Sequence, residues 1–358
     1  MLALIVLRAF IHSIYLLKPN TLSMISSSTS QGKYMAICVE TSARLHLGFY
    51  NFFEDGIAYG GLGVAIEYPK IRVKVYRDTG FSVINKVHGL YVDDVVDLVK
   101  SSLNVSSIGI VIEEAYPRHV GLGSTTQLAL SISYGIAKLL NMKYSVRELA
   151  VALGRGRDSG IGVATFEYGG FVVDSGRRVN QRVEVPRSVN DIPQILFRSY
   201  LPEDWYFIVI IPHGIKGLDE VRERSAMDYP QPLPRDLQYE LYKLLLLHII
   251  PSIVRRDIEV FGKAITKLQR IVGEYFSKYQ GGIYCCREAE EIVNALLNSG
   301  AQGAGQSSWG PTVYGIISGK DNAFRVLRKV LEKIERHGIE YSYYVVKNRE
   351  KGASINIC

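Results

Sequence analysis

The sequence predicts an α+β sandwich in which helices pack on one face of a sheet. Three observations point there: β-branched runs such as "IGIVIEEAY" at 108–116, stretches with apolar residues three and four apart, and helices alternating with short strands along the chain. The 358 residues are 47% apolar and 22% charged, a globular balance with length for two ordinary domains. A formal net charge of +7 fits either a plain basic surface or a site for a polyanionic small molecule. Nucleic acid is not an expected partner, because Lys and Arg are scattered and no recognised nucleic-acid motif occurs.

The elements follow in order. Residues 1–19 are apolar but carry Arg8 and His12, and their apolar part falls short of the about 20 residues of a membrane span. A signal peptide would lack its positive n-region. The polar "TLSMISSSTSQGKY" reads as a linker, so residues 1–34 are expected to lie outside the fold, with no membrane association. Strand patterning fills 36–76, a helix is expected over 92–103, and a strand over 108–116. After Ser124, the apolar residues Leu128, Ile132, Ile136 and Leu139 form one helical stripe that ends at Asn141. Ser145 and Glu148 form a capping box for the next helix.

"GGFVVDSG" is a strand, and the proline-punctuated "RRVNQRVEVPRSVNDIP" marks a boundary between domains at 35–190 and 191–358. The second half opens with the strand "WYFIVIIP" and continues with helices near 235–250, 256–277 and 286–299. A strand, "TVYGIIS", precedes a helix with Asp321 as N-cap, Gly338 at its end, and Phe324, Leu327, Leu331 and Ile334 inward. "YSYYVVK" closes as a strand. The four cysteines have no zinc spacing and Cys285 and Cys286 are adjacent, so a reduced, cytoplasmic protein without a disulfide framework is expected.

The stretch "PRHVGLGSTTQLALSISYG" at 117–135 carries the chemistry. Gly121, Leu122 and Gly123 lead into a helix, so backbone N–H groups converge where the helix dipole is positive. The glycines permit positive φ and close approach of a phosphate. Ser124, Thr125 and Thr126 add hydroxyls, and Ser124 is a candidate Mg²⁺ ligand. The alternative is a tight strand-to-helix turn with no ligand.

This turn, with the early "ARLHLGFYN" and the late "GAGQSSWGPTVYG", resembles the three motifs of the GHMP kinase superfamily. The resemblance spans roughly residues 36 to 350. It implies an N-terminal domain like ribosomal protein S5 domain 2 and a ferredoxin-like C-terminal domain. Where mevalonate-type members read "SGIDNAVSTWGG", with an Asp that activates the attacking hydroxyl, residues 159–170 read "SGIGVATFEYGG". Gly162 stands at the Asp position and has no side chain to act as a base.

"GRGRDSGIGVATFEYGGFVVDSG" and "QSSWGPTVYGI" are instead similar to one branch, the archaeal β-ribofuranosylaminobenzene 5′-phosphate synthases of methanopterin biosynthesis. That resemblance implies joining phosphoribosyl pyrophosphate to 4-aminobenzoate or 4-hydroxybenzoate, with release of CO₂ and pyrophosphate. It also implies Mg²⁺, and neither ATP nor pyridoxal phosphate. A homodimer is the expected assembly. The competing readings are a kinase that recruits Asp158 or Asp174, and a ligand sensor without catalysis.

For this chemistry the expected catalytic residues are Arg44 and His46, alternating on one strand face, together with Arg157 and Asp158. Arg155 and Arg157, in a glycine-flanked loop, can grip phosphate or carboxylate with their forks, the alternative being a solvated basic loop. Asp158 can orient an arginine, bind Mg²⁺ through water, or simply cap a turn. His119 can touch phosphate or be exposed. Gln306, Ser307 and Ser308 offer polar groups, and Trp309 offers a flat surface for an aromatic acceptor or a core side chain. Glu167 and Asp174 are further Mg²⁺ candidates. The segment 212–226, with His213, Lys216, Arg222 and Arg224, is either a lid or a solvated helix start.

Overall fold

Strands β1 (Ala36–Glu54) and β2 (Ile57–Arg77) form a long hairpin, and the reason lies in its turn. Asp55 and Gly56 have φ of 49° and 73°, and Glu54 pairs with Ile57 across them. An Asp-Gly pair with both φ positive matches the twist of the strands it joins. These elements belong to a computed structural model that describes residues 35–218 and 220–358; the extension expected over residues 1–34 lies outside the described residues.

The first sheet has the order β12-β1-β2-β4-β3, with β3 at Ser82–Asn85, β4 at Ile108–Glu114 and β12 at Ser354–Ile357. The other end of β2 pairs with β5 (Phe171–Asp174) and β6 (Arg177–Arg178), and β5 pairs with β7 (Ile195–Ser199). The second sheet runs β11-β8-β10-β9, from Tyr341–Val346, Trp205–Pro212, Val313–Ser318 and Gly303–Gln306. Residues 35–358 pack as one compact unit. Both β7 and the C-terminal β12 lie beyond residue 190 yet complete the first sheet, so the chain changes sheets at 200–204.

Helix α1 (Asp93–Leu103) and helix α2 (Ser124–Leu139) pack together, and α2 lies on β1 and β2. The expected stripe of Leu128, Ile132, Ile136 and Leu139 is buried, and so are Ala129, Leu130, Ser131 and Ser133. That all-round burial marks a central helix covered on several sides. Helix α3 (Val146–Ala152) starts with the predicted box: Ser145 Oγ accepts from Glu148 N and Ser145 N donates to Glu148 Oε2. Helix α4 (Ile161–Tyr168) follows.

The second half supplies α5 (Glu220–Met227) and α6 (Arg235–Lys243). The latter continues through a π-helical turn into α7 (Ile250–Arg255). Then come α8 (Ile258–Gln280), α9 (Arg287–Asn298) and α10 (Lys320–Arg336). In α10 the N-cap is Gly319 and Asp321 lies inside the first turn. Its inner face is Ala323, Val326, Leu327, Val330 and Ile334, whereas Phe324 is 44% exposed and Leu331 is half-buried. The buried arc is rotated toward the smaller valines, which fit closer to the sheet. Among the described residues, no helix is long and apolar enough to cross a membrane.

The cysteine expectation is corrected here. Cys38 and Cys358 form a disulfide with Cα atoms 5.9 Å apart. The last strand pairs with β1 and Cys358 N donates to Ala36 O, which brings together two residues 320 positions apart. Linear spacing cannot signal such a pair. Opening so long a loop by Cys358→Ser should lower stability by about 2–4 kcal/mol. The check is chemical denaturation of the variant beside the reduced and oxidised wild type; three coincident curves would refute it.

Candidate active site

The glycine turn and strand β1 build one wall of a cavity of about 210 Å³. Gly121 (φ 87°) and Gly123 (φ 79°) hold the turn open, and Gly123 caps α2. Arg44 lies beneath: its Nη1 donates to Gly121 O at 2.5 Å and its backbone N donates to Leu122 O at 3.2 Å. A Cβ on Gly123 would stand 3.1 Å from the Arg44 guanidinium carbon. A cation backing a helix N-terminus is a place for an anion. Ser124, Thr125 and Thr126 line the cavity above it, and Thr125 Oγ1 accepts from Arg118 Nε at 3.3 Å. Arg118, inside the motif but given no role from the sequence, is fixed by a bidentate bond to Asp94.

His46 is two residues beyond Arg44 on β1 and is buried. Its Nδ1 accepts from Gly48 N at 3.2 Å, and its Nε2 lies 3.1 Å from Ser159 Oγ. Burial, with the Arg44 charge second, pulls its pKa down to about 3, so the ring is neutral near pH 7. Asp174, buried, is pushed up to about 6 by the same desolvation, against the pull of N–H bonds from Gly61, Gly176 and Gly160.

The two groups give opposite pH slopes. His46 titrates near 6.5 when unfolded and near 3 when folded, so the unfolded chain takes the extra proton between them. Its contribution is full above 6.5 and falls with acidification, by at most about 1.4 kcal/mol per pH unit. Asp174 contributes fully below 3.8 and loses that as pH rises through 6. His46→Gln isolates the first slope: its stability difference from wild type should shrink between pH 7 and pH 5 in urea unfolding, and a constant difference would contradict this.

The third wall is the loop into α4. Arg157, 8% exposed, is held inside the protein. Nη1 donates to Asp158 at 2.7 Å, and Nη2 donates to Asp228 and to Val183 O. Arg157 lines the cavity, as the sequence had suggested, and its fork also positions Asp158. Asp158 lines the cavity; burial raises its pKa, opposed by Arg157, Arg177 and Arg224. Arg177, missed in the sequence, ties this loop down through bonds to Arg157 O and Glu184 O. Arg155 also lines the cavity.

Part of the lining is aromatic. Phe276 meets Trp309 edge-on at 4.6 Å and Phe49 at 6.2 Å, and Phe49 meets the His46 ring at 4.7 Å. Trp309 is both: 8% exposed within the core cluster, yet part of the cavity lining. Phe49 lies in the early "ARLHLGFYN" motif without having been given a role, and Phe276 gave no sequence signal, because an isolated aromatic residue reads as core. Ser308 and His119 line the same space.

Several expected site residues are engaged by partners within the protein. Ser307 is fully buried, donating to Gly121 O at 2.7 Å and accepting from His46 N, so it braces the turn from behind. Gln306 lines the cavity, but its amide is spent on Cys285 N, Gln280 and Ser308 O. Leu122 contributes only backbone shape, its side chain being buried. Asp174 accepts three backbone N–H bonds away from the cavity, and Glu167 pairs with Arg147 at 3.2 Å. Neither is placed to ligate a metal in this cavity, and among the described residues no cluster of three or more His, Cys, Asp or Glu could hold one. Of the segment 212–226, Gly217, Leu218, Glu223 and Arg224 line the cavity, while His213 bonds Ser342 at 2.7 Å.

Comparison with known proteins decides the family. The β-ribofuranosylphenol 5′-phosphate synthase of Methanothermobacter thermautotrophicus is 31% identical over 304 residues, covering 79% of this chain and 89% of that protein. This chain belongs to the β-ribofuranosylphenol 5′-phosphate synthase family. A relative of the same name from Archaeoglobus fulgidus is 28% identical, covering 89% of this chain and 99% of its own length. Residues 90–170 match the GHMP kinases N terminal domain family and residues 249–336 match GHMP kinases C terminal. Among solved structures, homoserine kinase from Cytophaga hutchinsonii superposes with a TM-score of 0.66 at 18% identity, covering 93% of this chain and 100% of that one. The L. major mevalonate kinase in complex with R-mevalonate gives 0.62 at 15% identity, covering 86% and 95%. These two establish the GHMP kinase fold alone.

In this synthase-family chain Gly162 lines the cavity opposite Thr126. A Cβ there would meet Thr126 at 3.4 Å, which is ordinary contact, and its φ is not positive. The backbone does not require glycine at 162.

Proposed function

We propose that this chain joins phosphoribosyl pyrophosphate to 4-hydroxybenzoate, giving a β-ribofuranosylphenol 5′-phosphate, CO₂ and pyrophosphate, in the cytoplasm as a step of methanopterin biosynthesis. One observation carries the reading: an anion turn backed by Arg44 shares a cavity with the aromatic residues Phe49, Phe276 and Trp309, and Gly162, where the kinases carry their Asp, brings no carboxylate to it. The relatives are synthases of the phenol product, which favours the phenol over the aniline acceptor.

The reaction needs no protein nucleophile. The bond from ribose C1 to the pyrophosphate oxygen breaks, and pyrophosphate leaves with the electron pair. The ring carbon bearing the carboxylate attacks C1. The bond to the carboxylate then breaks, and its electrons restore aromaticity as CO₂ leaves. Backbone N–H groups of the turn and the Arg44 charge hold the phosphates and stabilise the departing group. The aromatic wall excludes water, which would otherwise capture the ribosyl cation. Neutral His46 stays next to this centre without adding a charge that competes with the donor.

The donor set suits Mg²⁺ brought in by the phosphates, because Mg²⁺ commonly keeps only one or two protein oxygens. Asp158, whose Oδ1 is taken by Arg157, and Ser124 are the residues to hold it. Bound there, it would neutralise pyrophosphate charge as that group departs. The test is incubation with phosphoribosyl pyrophosphate, Mg²⁺ and carboxyl-labelled 4-hydroxybenzoate. Labelled CO₂ should appear in step with pyrophosphate and only with both substrates; pyrophosphate without CO₂ would overturn the reading.

A further inference from the structure

His46 and Ser159 form a polarised pair with one donor left over. Gly48 N–H is bonded to His46 Nδ1, and a backbone amide can only donate. The neutral ring therefore carries its proton on Nε2 and donates it to Ser159 Oγ, 3.1 Å away. Ile161 N–H donates to the same oxygen at 3.2 Å. A serine oxygen has two lone pairs, and both are now used. What remains is the hydroxyl proton. Among the described residues no acceptor takes it, and Ser159 lines the cavity.

The place of this donor follows from β1. Arg44 sits under the anion turn, and His46, two residues on, is roughly 6–7 Å further along the strand. There the His46 ring touches Phe49, the start of the aromatic wall. Through the His46 ring the Ser159 hydroxyl is tied to the Phe49 end of the cavity.

We propose that Ser159 reads the para substituent of the acceptor, donating its hydroxyl proton to a phenolic oxygen and so setting a preference for 4-hydroxybenzoate over 4-aminobenzoate. The inference rests on the synthase reading above. A free serine could donate or accept and would tell the two acceptors apart poorly. This one can only donate, because both lone pairs are occupied. A phenolic oxygen keeps an in-plane lone pair to receive the proton. An aromatic amine has its lone pair drawn into the ring and presents N–H groups, so donor would face donor. The bond acts in selecting and orienting the acceptor. His46 and Gly48 are then positioning residues: they fix which way the serine points.

The experiment measures kcat/KM for both benzoates in wild type, Ser159→Ala and Ser159→Thr, with melting temperatures to verify folding. Ser159→Ala should lower kcat/KM for 4-hydroxybenzoate about 10–100-fold and change that for 4-aminobenzoate by less than about threefold, since only one acceptor loses a bond. Ser159→Thr, which keeps the donor, should retain the wild-type preference. Equal losses with both acceptors, or no loss with either, would overturn the assignment. A wild type that uses both benzoates equally well would overturn it too while leaving the synthase reading intact. A wild type that releases CO₂ from neither sinks that reading, and this inference with it.

Discussion

Gly121→Ala should abolish use of phosphoribosyl pyrophosphate. The added Cβ would stand 2.2 Å from Ser307 O, a backbone atom with little freedom to move, and Gly121 sits at φ 87°. Its carbonyl also receives the Arg44 guanidinium and the Ser307 hydroxyl, so a shift there disturbs both the cation under the turn and the brace behind it. Left-handed backbone and overpacking together cost about 2–4 kcal/mol. We expect donor affinity to fall at least about 100-fold, because the N–H groups no longer converge. Gly123→Ala is the comparison: it shares the left-handed backbone at φ 79°, but the nearest atoms to its Cβ belong to the Arg44 side chain at 3.1 Å and not to backbone, so its loss of stability should be smaller. Titration calorimetry and melting curves check both, and a Gly121→Ala protein binding the donor like wild type would refute the account of the turn.

Gly162→Asp should leave the fold intact and remove the activity. Position 162 lies in the first turn of α4, where a carboxylate gains about 0.3–1 kcal/mol from the helix dipole, and the Cβ fits beside Thr126. The melting temperature should therefore stay level or rise. A carboxylate within about 4 Å of a phosphate costs about 4 kcal/mol at an effective dielectric of 20, enough for a rate loss of 100-fold or more. No ATP-dependent phosphorylation of an alcohol should appear, because the rest of the cavity carries an aromatic wall and the fixed Arg157–Asp158 pair. Gly162→Ala, small and neutral, should cost less than about tenfold. Measuring CO₂ release and ATP turnover in all three proteins separates charge from bulk.

Much of the fold was legible because its signals are local. The Ser145–Glu148 box and the glycine turn before Ser124 each announce themselves within a few residues. The strand "WYFIVIIP" matches β8 residue for residue. What the sequence hid depends on contacts between distant positions. Asp228 clamps Arg157 from 71 residues away, and Cys358 meets Cys38 from 320 away, with nothing in linear spacing to announce either. Asp174 and Glu167 looked like metal ligands by type, but three backbone amides and Arg147 respectively had claimed them. In the same way Ser307 and Gln306 had the right chemistry, and their partners are within the protein. Ser159 was inside a quoted motif, yet its role rests on a histidine 113 residues earlier.

The most direct test of the whole account is a crystal structure of the protein with Mg²⁺, phosphoribosyl pyrophosphate and a non-decarboxylating analogue of 4-hydroxybenzoate. The account predicts phosphate on the turn at Gly121–Thr126, the ring against Phe276 and Trp309, and the donor filling the space beside Gly162. A nucleoside triphosphate bound there in preference, with its terminal phosphorus facing Asp158 and an alcohol alongside, would contradict it.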